Sequence, residues 1–157
     1  MASQLEIELG KLKSAIIKIG NLSEHQVFEA MKALLLEPGT EVSGVKKTEH
    51  KIDKLDVKID ELCQSVFALQ QPVASDLRFI MSAMQISNEI ERIGDLAVSV
   101  IKKAKNINEK HDLISKFNIS DITREVEAIT TKTNECFQTL EESTTVPALF
   151  LKRVVAP

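Results

Sequence analysis

The chain is 157 residues long, the size of one domain, with twenty basic and twenty-three acidic residues and a net charge of −3. So even a balance supplies no sequence-wide field for nucleic acid or an anionic membrane, and the lack of Trp and Tyr beside six Phe leaves little for base stacking, aromatic cages or a membrane-interface belt. Cys63 and Cys136 lie in helical patterns without a CxxC partner and read as small apolar core residues of a reducing compartment, while the charged start "MASQLEIELGKLKSAIIKIG" is neither a signal peptide nor a membrane span; the expected location is cytoplasmic.

Five glycines and four prolines leave few places to turn, and no stretch alternates as a half-buried strand does, so the expected class is all-α. A first helix is expected from about Gln4 to Leu36, on Leu5, Leu9, Leu12, Ile16 and Ile19, ending where Pro38 and Gly39 turn the chain. Thr40 or Ser43 can cap a second helix with a coiled-coil-like seam of Ile52, Leu55, Ile59, Leu62, Val66 and Leu69. Gly44 weakens its first turn by about 1 kcal/mol relative to Ala. "QQPVASD" breaks the pattern, Pro72 being tolerated in a first turn but not in a helix interior. A third helix then runs to about Lys105, with Phe79, Ala83, Ile86, Ile90, Ile93, Ala97, Val100 and Ala104 on one seam. Three such helices joined by short turns predict an antiparallel three-helix bundle over residues 1–106, about 45 Å long. The polar run at 107–120 reads as a linker, and Asn118 or Ser120 can cap a fourth helix from about Asp121 to Glu142. In "ESTTVPALFLKRVVAP", Thr145 and Pro147 predict a short terminal helix, apolar nearly all round, that packs on the bundle or between chains.

The stretch "SNEIERIGDLA" puts Glu91 and Asp95 one helical turn apart on the same face. With Ile90 and Ile93 as the core positions of a heptad, both point outward and form an acidic stripe with Asn88. The second helix carries its own stripe, Glu49, Asp53, Asp56 and Asp60, beside its apolar seam. Like charges at this spacing cost only about 0.2–0.5 kcal/mol per pair, so a solvated face relieved by Lys51, Lys54, Lys58 and Arg92 is one reading. The other is a metal site, because two carboxylates on each of two packed helices can converge four carboxyl groups on one or more cations. His50 points about 100° away from Glu49 and reads as surface, as do His25 and His111. Paired carboxylates also serve in hydrolysis, which needs a cleft that a face of rods does not offer. Gly94 in mid-helix costs about 1 kcal/mol, which points to close approach of another backbone or of the metal site.

The run "QQPVASDLRFIMSAMQISNEIERIGDLA" closely resembles the PhoU family of phosphate-uptake regulators, where a Pro-x-Ala-x-Asp-Leu-Arg helix start leads into Glu-Arg-Ile-Gly-Asp. Here these are Pro72, Ala74, Asp76, Leu77 and Arg78, then Glu91, Arg92, Ile93, Gly94 and Asp95. "EHKIDKLDVKIDELC" looks like the second helix of a PhoU repeat, Glu49 and Asp53 falling on the family's other Glu/Asp-xxx-Asp motif. The resemblance runs strongly from about residue 4 to 105 and weakly to about 142. It implies two three-helix bundles as tandem repeats, with multinuclear iron or zinc clusters on the acidic motifs and Glu49, Asp53, Glu91 and Asp95 as metal ligands. It further implies a non-enzymatic adaptor that represses the phosphate-starvation response and restrains uptake, through a phosphate ABC transporter ATPase and its sensor histidine kinase. Nucleic acid is not an expected partner, and the membrane is reached only through those proteins. A second acidic helix and a second Glu-Arg-Ile-Gly-Asp are absent from this sequence. Residues 121–157 are therefore expected to be the first helix and start of a truncated second repeat, natural or engineered, or part of a divergent short member. Leftover apolar surface is expected to drive a homodimer or higher oligomer. Two competing expectations are a metal-dependent phosphoester hydrolase with a dinuclear site on the same four carboxylates, and a purely structural helical module with bare acidic faces.

Overall fold

A computed structural model describes residues 3–35, 42–107 and 118–142. They form α1 (Gln4–Leu35), α2 (Val42–Leu69), α3 (Ala74–Ile107) and α4 (Ile119–Glu142), with no strand among the described residues. The chain is all-α, a three-helix bundle followed by a fourth helix, as the periodicity predicts. The expected terminal helix, and all but the ends of the expected linker, lie outside the described residues.

α1 opens on a reciprocal cap. The Glu6 N–H donates to Ser3 Oγ at 3.2 Å and the Ser3 N–H donates to Glu6 Oε2 at 2.7 Å, satisfying donors that a first turn leaves over. Beyond the end of α2, Gln71 takes a left-handed φ of 44°, and Pro72 follows it. Pro72 thus sits ahead of α3 rather than within its first turn, and the Leu77 N–H donates to the Val73 carbonyl at 2.9 Å as α3 begins.

α2 runs antiparallel to α1 and α3, and the three helices bury two apolar clusters. The larger joins Leu12, Ile16 and Ile19 of α1 to Ile59 and Val66 of α2 and Phe79 and Ile80 of α3. The smaller joins Val27, Ala30 and Met31 to Val45, Ala97, Ile101 and Ala104. Ser23, Gln26 and Gly94 are buried at the level between them.

The seam of α3 buries Phe79, Ala83, Ile86, Ile90, Ala97 and Ala104 as expected, but is rotated from the expected line at two positions. Ile93 is exposed and Val100 only half-buried, whereas Gly94 and Ile101 are buried. Beside buried Phe79, Ile86 and Val98 runs a buried line of Ile80, Ala83, Ser87, Ile90, Gly94, Ala97, Ile101 and Ala104, the same three-four alternation on a smaller set of side chains. Small residues let α3 approach closely. A Cβ on Gly94 would stand 3.3 Å from Ile52 Cδ1 and 3.5 Å from Gln26 Oε1. The close approach expected at Gly94 is therefore made by side chains of α1 and α2, not by another backbone.

α4 packs antiparallel on α1. Gly20 leaves the notch: a Cβ there would stand 2.8 Å from both Asn134 Oδ1 and Phe137 Cδ2. Asn134 Nδ2 donates to Asn21 Oδ1 at 2.8 Å and to Glu24 Oε2, and Gln138 Nε2 donates to Asn21 Oδ1 at 3.0 Å.

Candidate functional site

Three contacts fix the register of α2 against α3. The Cys63 thiol donates to the Ile80 carbonyl at 3.7 Å, Ser87 Oγ donates to Asp56 Oδ1 at 2.6 Å, and Gly94 lies against Ile52. In that register Asp53 comes level with Glu91, and Glu49 with Asp95.

The rotated seam changes where Glu91 lies. With Ser87 and Gly94 on the buried line, Glu91 flanks it and is half-buried instead of pointing outward, while Asp95 is exposed as expected. Across the groove Glu49, Asp53, Asp56 and Asp60 are all half-buried. The Glu91 carboxyl is pushed above the ordinary carboxylate range, first by burial and then by the charges of Asp95, Asp56 and Asp53. Desolvation and like charge both favour its neutral form. Of the four expected site residues the fold therefore couples Asp53, Glu91 and Asp95, and it adds Asp56; Glu49 is not among the charges that act on Glu91.

The expected counter-charges do not neutralise this groove. Lys51, Lys54, Lys58 and Arg92 are exposed and form no ion pair among the described residues. His50 is exposed, its Nδ1 3.9 Å from Asp53 Oδ2. Farther along α2, Asp60 Oδ1 is buried without a hydrogen-bond partner. Burial and the Asp60 charge push the Cys63 thiol up to about 12, which makes it a protonated, unreactive core side chain.

Two participants escape a reading based on charge spacing alone. Asp56 was visible in the α2 stripe, but only the Ser87 hydrogen bond marks it as facing α3. Gln26 of α1, fully buried beside Gly94, has neither amide atom partnered; a lone Gln on an apolar helix face was its one signal.

Among the described residues no three His, Cys, Asp or Glu side chains are gathered where they could hold one metal ion. The carboxylates instead stand on two levels about one turn apart. An oxygen-only donor set bearing uncompensated negative charge fits a hard cation whose remaining positions are filled by water. No helix among the described residues is long and apolar enough to cross a membrane.

Fold and groove together define a three-helix repeat with one acidic Glu/Asp-xxx-Asp motif on its second helix and another on its third. The family model of the PhoU domain matches residues 16–104, and the chain belongs to that family. It is similar to the phosphate-specific transport system accessory protein PhoU of Serratia marcescens, 32% identical over 104 residues that make up 66% of this chain and 43% of that protein. The homolog from Clostridium acetobutylicum is 34% identical over 113 residues, 71% of this chain and 52% of its own. The PhoU protein of Escherichia coli strain K12 is 29% identical over 112 residues, 71% and 46%. The chain spans about half the length of the curated relatives it matches. Glu49, Asp53, Glu91 and Asp95 lie within the matched stretch and α4 lies beyond it.

Proposed function

We propose that the chain is a non-enzymatic regulator of phosphate uptake and of the phosphate-starvation response. It acts as a cytoplasmic adaptor that docks on a phosphate ABC transporter ATPase and its sensor histidine kinase, as a homodimer or higher oligomer with carboxylate-bound metal. The observation that carries this reading is the family match over residues 16–104, shared with relatives named as accessory proteins of the phosphate-specific transport system. The groove supports the metal component. Glu49 and Asp95 would hold a cation at one level, Asp53 and Glu91 at the next, with Asp56 kept in place by Ser87. Bound there, iron or zinc would supply positive charge that relieves carboxylate repulsion and ties α2 to α3. A rod of packed helices offers broad faces for protein docking, which favours an adaptor over turnover.

Metal content by mass spectrometry, on protein purified without chelator or nickel resin, tests this alongside capture of the transporter ATPase. Wild type is expected to carry iron or zinc and bind the ATPase, and Glu91→Gln/Asp95→Asn to lose the metal. A wild type that binds neither would sink the proposal. Metal-dependent phosphoester turnover that disappears in Glu91→Gln would transfer the site to the hydrolase reading.

A further inference from the structure

α4 uses only half of its apolar pattern. Ile119, Ile122, Val126, Ile129, Thr133 and Cys136 repeat at alternating steps of three and four, which keeps one stripe toward a helical neighbour. α1 does not receive the whole of that stripe. Asn134 and Phe137 lie against α1 at Gly20 and Thr123 is buried, 2% exposed, while Ile122 and Ile129 are left 58% and 66% exposed. Asn134 pins this rotation through the Gly20 notch and its bonds to Asn21 and Glu24. Turning α4 to bury both isoleucines would pull those contacts apart. α4 is thus seated by polar groups on one face and open to water on an apolar one, the arrangement of a helix that lies between two neighbours.

We propose that its second neighbour is α4 of another copy of this chain, packed antiparallel across a two-fold axis between Ala128 and Ile129. Glu125 lies four residues before Ile129 and Lys132 three after it, on the same side of the stripe. Both are exposed, and neither forms an ion pair among the described residues. A two-fold pairing makes every contact reciprocal. It sets Glu125 of each chain opposite the partner's Lys132, with Ile129 and the small Ala128 at the centre. Opposite charges at equal steps from an apolar centre make this face complementary to itself. The inference rests on the self-association proposed above, names the surface, and can fail without it.

Light scattering of the full chain at micromolar concentration, with circular dichroism to confirm helix content, tests the arrangement. Wild type is expected to be a dimer and Ile129→Glu a folded monomer. Glu125→Lys and Lys132→Glu are each expected to weaken the dimer roughly tenfold, and the double variant Glu125→Lys/Lys132→Glu to recover the wild-type affinity. A dimer that Ile129→Glu leaves intact would overturn the α4 interface while self-association survives. A monomeric wild type would overturn both, and a double variant no better than its parents would overturn the antiparallel register.

Discussion

Gln26 is 1% exposed, yet neither its amide nitrogen nor its oxygen has a hydrogen-bond partner. An amide buried in that way costs about 1–3 kcal/mol. Met has a similar length and makes no such demand. Gln26→Met is therefore expected to raise stability by about 1 kcal/mol, or the melting temperature by roughly 2–4 °C at this chain length. A lower melting temperature would show that the amide is bonded in solution, as by a buried water. Glu91 tests charge rather than hydrogen bonding. Its carboxyl is raised by burial and by Asp95, Asp56 and Asp53, so the folded chain holds that proton more tightly than the unfolded one. Its contribution to stability is most favourable below the ordinary carboxylate value, declines as pH rises through the interval up to the raised value, and is constant above it. In chelator, Glu91→Gln is expected to melt above wild type at pH 7 by on the order of 0.5 kcal/mol, with the two converging near about pH 3. Equal melting at both pH values would show that Glu91 does not feel its three neighbours.

Helix extents were legible in the sequence because alternating three and four spacing is a one-dimensional signal, interrupted at Pro38 and Gly39, at Pro72 and along the polar run at 107–120. The rotation of α3 was not. Choosing between Ile93 and Gly94 for the core depends on what approaches, and the approaching groups, Gln26 and Ile52, come from other helices. That one misplacement carried Glu91 from the groove to the outer face. The α2 stripe escaped the error because Glu49, Asp53, Asp56 and Asp60 lie beside a seam of large apolar residues that settles its own rotation. The seating of α4 was equally hidden, since the side chains that fix it are Asn134, Asn21 and Glu24, polar residues outside any apolar pattern. Gly20→Ala tests that seating. Ala is favoured in a helix interior by about 1 kcal/mol, but its Cβ would press on Asn134 and Phe137 at 2.8 Å, an overpacking worth about 1–3 kcal/mol. The net effect is expected to fall on α4. Its amides should lose hydrogen-exchange protection while those of α1 to α3 keep theirs, and unchanged protection of α4 would show that the notch does not seat it.

Along the whole rod the two apolar clusters are unequal. The larger is filled by Leu12, Ile16, Ile19, Ile59, Phe79 and Ile80, whereas much of the smaller is alanine: Ala30, Ala33, Ala97 and Ala104. Stabilisation follows buried apolar area at about 25 cal/mol per Å², so the alanine-rich end is the part expected to open at lower free energy than the global transition. Gly94, Gln26 and Ser23 mark the boundary between the clusters, and in the α2–α3 groove Asp53 and Glu91 lie beside that boundary with Asp95 one turn farther along α3. Their mutual repulsion acts where the helices would part. A cation bound only to the closed groove shifts this opening by mass action. In chelator, the amides of residues 97–104 are expected to exchange faster than those of 80–90. Ferrous iron under anaerobic conditions should slow the 97–104 segment most, and Glu91→Gln/Asp95→Asn should abolish that slowing. If the protection persists in the double variant, the cation binds elsewhere; if iron changes neither segment, the paired carboxylates are a solvated face, and the regulatory role proposed above would rest on docking surfaces alone.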